Sequence, residues 1–317
     1  MSLSPTDSPR AAWLPGGHAQ SIWPALFAPA PRIVWRRERW EWDDGDFVDA
    51  DWLDGPPTSP VLVMFHGLEG SSDSHYARAL AAAASQAGYS LCLPHFRGCS
   101  GEPNRLARAY HSGDADEVER MLLKARSPDR PLYAVGVSLG GSALLNYVAT
   151  RGDASVLTAC ASACAPLDLA ACGRAISRGF SLVYTKMFLY TLKQKAFEKL
   201  QRFPGLFDAS AMKSAPTLYE FDNLFTAPLH GYRNTDDYWL RASSKPRLAG
   251  VQTPTLVINA LNDPFVPASC LPGIDQVSSA VRLLYPAQGG HVGFTNGLPP
   301  GRLQWLPNTI LGWFKHG

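Results

Sequence analysis

The sequence predicts an α/β fold, and three observations carry that expectation. An apolar run from Pro131 to Val137 drives into Gly136-Val137-Ser138-Leu139-Gly140 and continues as a helix-forming stretch. Further short apolar runs at 61–65, 89–93, 155–163 and 253–261 have the character of strands buried on both faces. Helical patterns separate several of these runs, as crossover connections require, until the alternation lapses between 169 and 248 and then returns.

The bulk numbers fit one large α/β domain or two small ones, since 317 residues bury a sizeable core either way. A hydrophobic fraction of 46% with 18% charged residues is that of a globular chain, and a net charge of +2 offers no field for steering nucleic acid. Met1 to Arg10 is polar and proline-containing, and no uninterrupted apolar stretch reaches membrane-spanning length, so a cytoplasmic protein without a transmembrane segment is expected. Cys92, Cys99, Cys160, Cys164, Cys172 and Cys270 form no C-x-x-C pair, which favours free thiols over disulfides or zinc. No metal and no cofactor is expected, and nothing in the sequence indicates an oligomeric state.

Residues 13–27 mix prolines, glycines and tryptophans and read as an ordered arm rather than a helix, extending the N-terminal arm over about 1–32. His18, set in that arm, reads as a hydrogen-bonded structural residue. The runs 33–42 and 47–53 flank Asp43-Asp44-Gly45-Asp46 and read as a hairpin; the acidic cluster lacks the spread and closing glutamate of a calcium loop.

Val61 to Phe65 ends in His66-Gly67-Leu68-Glu69-Gly70. A His-Gly pair leaving a central strand lets the backbone bend, so that the Leu68 N–H faces a pocket as an oxyanion donor while His66 braces the loop. A helix follows over 71–88 with Asp73 near its cap, then a strand at 89–93 and a loop carrying Arg97. Ser112 or Asp114 suits the cap of the helix that runs to about Ala125. Arg97, His111 and Asp114 read as bracing or solvated groups rather than catalytic ones.

Ser138 stands in a turn that needs small residues two positions before and after it, which Gly136 and Gly140 supply. Its hydroxyl is then exposed above the sheet, with the Leu139 N–H as the second oxyanion donor. A dinucleotide loop fits less well, because Ser138 occupies the place of the glycine that admits a pyrophosphate. Asp263 follows the strand at 253–261, and His291 follows the strand at 281–285. The chain order Ser138, Asp263, His291, each just beyond a strand, matches a nucleophile, acid and base.

With Leu14-Pro15-Gly16-Gly17-His18, His66-Gly67-Leu68-Glu69-Gly70, Phe96-Arg97-Gly98-Cys99-Ser100-Gly101, Tyr110-His111-Ser112-Gly113, the Ser138 pentapeptide, Thr226-Ala227-Pro228-Leu229-His230-Gly231 and Gly290-His291-Val292-Gly293-Phe294, the chain resembles the YheT-like hydrolase family of the α/β-hydrolase superfamily. The resemblance implies an eight-stranded, mostly parallel sheet in a single domain over 1–317, a helical cap, and carboxylic-ester hydrolase chemistry on a small-molecule ester. Relatives with an N-terminal membrane anchor are associated with lipid esters, and no such anchor is read here. An acyltransferase or thioesterase would use the same three residues, and a non-catalytic binding module would keep only the scaffold. The insertion over about 169–248 is expected to cover the pocket and set acyl preference, with Phe180, Met187 and Phe188 on its inner face.

Overall fold

The computed structural model describes residues 11–316, so the Met1–Arg10 reading lies outside the described residues. Eight strands form one sheet: β1 (Arg36–Glu41), β2 (Phe47–Leu53), β3 (Val61–Phe65), β4 (Ser90–Pro94), β5 (Leu132–Val137), β6 (Ala159–Ala163), β7 (Thr255–Ile258) and β8 (Val281–Leu284). Their order is β1-β2-β4-β3-β5-β6-β7-β8; the β1–β2 and β2–β4 pairings are antiparallel and the remaining pairings are parallel. The α/β class is as expected. Every residue of β3, β4 and β6 is buried, which is why these strands read as unbroken apolar or small-residue runs.

The hairpin turn forms as read, with Gly45 at φ 83° between β1 and β2. Helices α2 (His75–Gln86), α3 (Ala115–Ala125) and α4 (Leu139–Arg151) provide the crossovers. Asp114 caps α3 by accepting the Glu117 N–H at 3.3 Å, whereas the N-cap position of α2 is Ser74 rather than Asp73. β3 and β5 are neighbours, but the chain leaves β3 toward β4 and leaves β5 toward β6 on the other side. The diverging connections open a crevice at the carboxyl ends of these two strands.

One expectation is corrected. Residues 16–26 form a helix, α1 (Gly16–Leu26), despite Pro24 and the opening glycines. Its formation rests on tertiary packing, which overrides weak local propensity.

Between β6 and β7 the chain folds as helices α5 (Leu169–Ile176), α6 (Leu182–Arg202), α7 (Ala209–Ser214), α8 (Leu218–Phe221), α9 (Ala227–Leu229) and α10 (Thr235–Ala242). A final helix, α11 (Trp305–His316), contacts α2 and β6. Among the described residues, no helix is long and apolar enough to cross a membrane.

Arg97 is buried beneath the β4 exit, with its side chain 1% exposed. Its guanidinium donates to Glu117 on α3 at 2.8 and 3.0 Å, to Asp46 at 2.6 Å and to Asp44 at 2.9 Å. One cation thus joins the hairpin turn, a strand exit and a helix. Removing it leaves buried carboxylates unpaired, which costs about 3–5 kcal/mol. Arg97→Met should therefore lower the urea midpoint sharply, while Arg105→Ala, which breaks an exposed pair with Glu41, should leave it almost unchanged. Equal midpoints for the two variants would show that Arg97 is not the brace.

Candidate active site

The β5–α4 turn sets Ser138 at φ 54° and ψ −120°, a backbone region that L-residues rarely adopt. Close crossing of strand and helix enforces it. A Cβ on Gly136 would lie 2.4 Å from the Gly140 carbonyl oxygen, and one on Gly140 would lie 2.5 Å from the carbonyl oxygens of Phe65 and His66. The Ser138 N–H donates to Ala163 O at 2.8 Å, tying the turn to β6.

The structure brings Ser138, Asp263 and His291 together. His291 Nε2 lies 3.0 Å from Ser138 Oγ, and Nδ1 lies 2.8 Å from Asp263 Oδ2. Asp263 has no exposed side-chain surface, and its Oδ1 accepts the N–H groups of Phe265 (2.8 Å) and Val266 (3.2 Å). A carboxylate held in this way accepts from Nδ1–H and leaves the Nε2 lone pair toward the serine. The Phe265 ring covers the imidazole, with centroids 4.2 Å apart.

The loop carrying His291 is held by α1, a connection that sequence reasoning missed. The His291 N–H donates to Ser21 Oγ at 2.8 Å, and Gly289 N–H donates to Gln20 Oε1 at 3.0 Å. Asn262 accepts the Gly290 N–H at 3.0 Å and donates to Gln20 at 2.9 Å. The approach is close enough that a Cβ on Gly293 would sit 1.9 Å from Gln20 O, and one on Gly17 would sit 1.9 Å from Asn262 O. Glycine pairs at 16–17 and 289–290 were the available signal, but nothing local says that they meet. His18 is structural in its contacts: its ring faces Phe180 and Tyr184, with Nδ1 3.2 Å from the Tyr184 hydroxyl.

Leu68 and Leu139 line the same cavity as Ser138 and His291, and neither backbone N–H donates to another atom of the described residues. A Cβ on Gly67 would lie 3.1 Å from Ser138 Cβ, so the loop after β3 runs directly past the serine. His66 braces that loop by donating from Nδ1 to Gly67 O at 2.7 Å and accepting the Phe96 N–H on Nε2 at 3.0 Å. Burial pushes its imidazole down to about 3, keeping it neutral. Glu69, at φ 56°, accepts from the Tyr110 hydroxyl at 2.8 Å and from Lys195 of α6 at 2.9 Å.

The cavity above Ser138 has a volume of about 560 Å³. Its apolar wall includes Leu169, Ile176, Phe188, Leu192, Phe221 and Phe225 from the helical segment between β6 and β7. Phe188 lies where expected; Phe180 and Met187 do not, because Met187 points to solvent and Phe180, half exposed, packs against His18 and Tyr184 outside the cavity lining. The other end is polar and includes Arg37, Ser72 and His95. These three side chains converge on buried Asp51 at 2.6–2.8 Å. Burial alone would raise the Asp51 pKa, but the hydrogen bonds from Arg37, His95 and Ser72 outweigh it and hold the carboxyl well below its ordinary range.

Arg97, His111 and Asp114 do not line up with the serine chemistry. Arg97 braces the fold, Asp114 pairs with Arg108, and the His111 ring lies 4.3 Å from that of His230. Cys164 Sγ lies within 4.8 Å of the Asp263 and His291 donor atoms, the spacing of a metal site. Its thiol is fully buried and pushed well above its ordinary pKa, first by burial, and both Asp263 oxygens are already engaged. Thiolate ligation would need that thiol to ionise, so the group fits hydrogen bonding better than metal binding. All six cysteines are free and buried.

The family described as alpha/beta hydrolase fold matches residues 60–298, more than half of the chain. YheT of Escherichia coli, provisionally named an esterase, is 39% identical over 93% of this chain and 89% of its own. Phospholipase ABHD3 of Mus musculus is 29% identical over 96% of this chain and 78% of its own. Among solved structures, mouse alpha/beta hydrolase domain-containing protein 10 superposes with a TM-score of 0.53 at 17% identity, covering 81% of this chain and 90% of that one.

Two outcomes follow from the packing around the site. Gly293→Ala should lower both Tm and ester turnover by driving α1 from the His291 loop. Gly250→Ala, with nothing within 4 Å, should change neither; loss of Tm without loss of turnover in Gly293→Ala would detach α1 from the chemistry. Asp51 stabilises the fold fully above its unfolded pKa of about 3.9, and that contribution is lost as pH falls toward the depressed folded value. The stability gap between wild type and Asp51→Asn should therefore be constant from about pH 7 to 5 and shrink below about 4 in denaturation series.

Proposed function

The chain belongs to the α/β-hydrolase fold family and, within it, to the YheT-like hydrolases; from that premise we propose that it hydrolyses carboxylic esters through an acyl-enzyme on Ser138. His291 Nε2 takes the proton as Ser138 Oγ attacks the ester carbonyl, and returns it to the leaving alcohol. Asp263 orients the ring and stabilises the imidazolium. The Leu68 and Leu139 N–H groups hold the oxyanion, each contributing about 3 kcal/mol by comparison with similar sites. Water, activated by the same histidine, then releases the acid.

The observation that carries this reading is the unbroken relay from Asp263 Oδ2 through His291 to Ser138 Oγ, at 2.8 and 3.0 Å, at the floor of the cavity. Both curated relatives carry names of ester-cleaving enzymes, which supports the same reaction class. The apolar wall suits an acyl chain, and the polar end suits the alcohol portion. The helical segment over about 169–248 acts as the selecting cap of one hydrolase domain.

Ser138→Ala should remain folded and lose several orders of magnitude in turnover, with loss of covalent fluorophosphonate labelling. Half of wild-type turnover in this variant would refute the nucleophile. On p-nitrophenyl esters of graded length, kcat/KM should rise by up to about fourfold per methylene until the cavity is full. Phe188→Ala should move that limit to longer chains, whereas Phe180→Ala and Met187→Ala should not. An unchanged profile in Phe188→Ala would remove the cap from selection.

A further inference from the structure

Helix α6 is apolar on two faces. Its inner face buries Tyr184 and Leu189 and sets Phe188 and Leu192 against the cavity. At 100° per residue, Leu182, Val183, Lys186, Met187 and Tyr190 share an outer arc of about 140°. Val183, Met187 and Tyr190 on that arc are 51%, 62% and 68% exposed, and Phe180, just before the helix, is 55% exposed. Water solvates such a stripe poorly, and clustered exposed apolar side chains mark a contact surface.

The sequence that carries this stripe has charge of one sign. From Leu169 to Phe197 the chain carries Arg174, Arg178, Lys186, Lys193 and Lys195 and no carboxylate. Lys195 is bound to Glu69, and Lys193 donates to the carbonyls of Lys213 and Ala215. Exposed Arg174, Arg178 and Lys186 form no salt bridge among the described residues. Free cations interleaved with outward-pointing aliphatic and aromatic side chains are the signature of a helix lying in a lipid interface.

We propose that the outer face of α6 docks on an anionic phospholipid surface, with Phe180, Val183, Met187 and Tyr190 inserting between headgroups and Arg174, Arg178 and Lys186 meeting the phosphates. A symmetric contact with a second copy would place these cations against themselves, which like-charge repulsion opposes. Docking is independent of the Ser138 reading, because it is measured by binding rather than turnover.

The test is cosedimentation of the full chain with phosphatidylcholine vesicles containing about one-third phosphatidylglycerol, compared with phosphatidylcholine alone. Binding should require the anionic lipid and weaken at high salt. Lys186→Glu should weaken it at least about fivefold, and Val183→Asp with Met187→Asp should weaken it more than about tenfold. Hydrolysis of a short, water-soluble ester should stay unchanged in these variants, which keeps the comparison to folded protein. Absence of wild-type binding to the anionic vesicles, or equal binding by the variants, would overturn the proposal. So would a concentration-dependent dimer that the Val183→Asp, Met187→Asp variant abolishes.

Discussion

A side chain held at positive φ persists only where the surroundings leave the backbone no alternative, and Ser138 is in that position. Relaxing it would need room between β5, α4 and the β3 exit, and Gly136, Gly140 and Gly67 mark where that room has been removed. β6 contributes to the same constraint. Its small residues let α4 sit close, so that a Cβ on Gly141 would meet Ser162 Oγ at 2.7 Å. The burial of three neighbouring strands, the glycine spacing and the orientation of the hydroxyl are therefore one packing solution. Strain of roughly 1–3 kcal/mol is held by the backbone packing around the serine.

The helical segment after β6 is attached to this frame unevenly. The C-terminal half of α6 is tied by polar contacts: Lys199 donates to Asn104 Oδ1 at 2.6 Å and to the Leu106 carbonyl at 2.8 Å, and Arg202 donates to the Asn104 carbonyl at 2.8 Å. Burial pushes the Lys199 ammonium down to about 8, so these bonds hold a partly desolvated charge. Asn104 in turn donates to Asp46, which places the end of α6 on the same buried network as Arg97. Among the described residues the N-terminal half has no comparable tether to that network, and it carries the outward apolar stripe. One helix thus divides anchoring and surface presentation between its ends.

Much of the scaffold was legible because its signals are local. Val61–Phe65 announces a strand buried on both faces, and glycines flanking Ser138 announce a tight strand-to-helix turn, whatever lies elsewhere in the chain. Asp263 and His291 were found by their places just beyond strands, and the structure brings them to Ser138. What was not legible depends on distant partners. α1 begins with glycines and contains Pro24, so its helicity is visible only once its packing against residues 262 and 289–293 is known. Periodicity located an apolar stripe in 180–190 but could not say which of two stripes turned inward, and Phe180 and Met187 fell on the wrong one. Arg97 reads on its own as an ordinary loop cation; three carboxylates, two from the hairpin turn and one from α3, make it a brace.

The bond between Ser21 and the His291 amide spans 270 residues, and this bears on how the protein is made. A ribosome adds roughly 5–20 residues each second, so α1 emerges about ten seconds to a minute before the loop that it holds. During that interval the nascent chain already contains Ser138 and most of the sheet, yet His291 has not been synthesised. Translation that stops anywhere before residue 291 leaves a fragment without the proposed relay. The first described helix and the last loop of the site thus meet late: the proposed relay assembles only after residue 291 has been made.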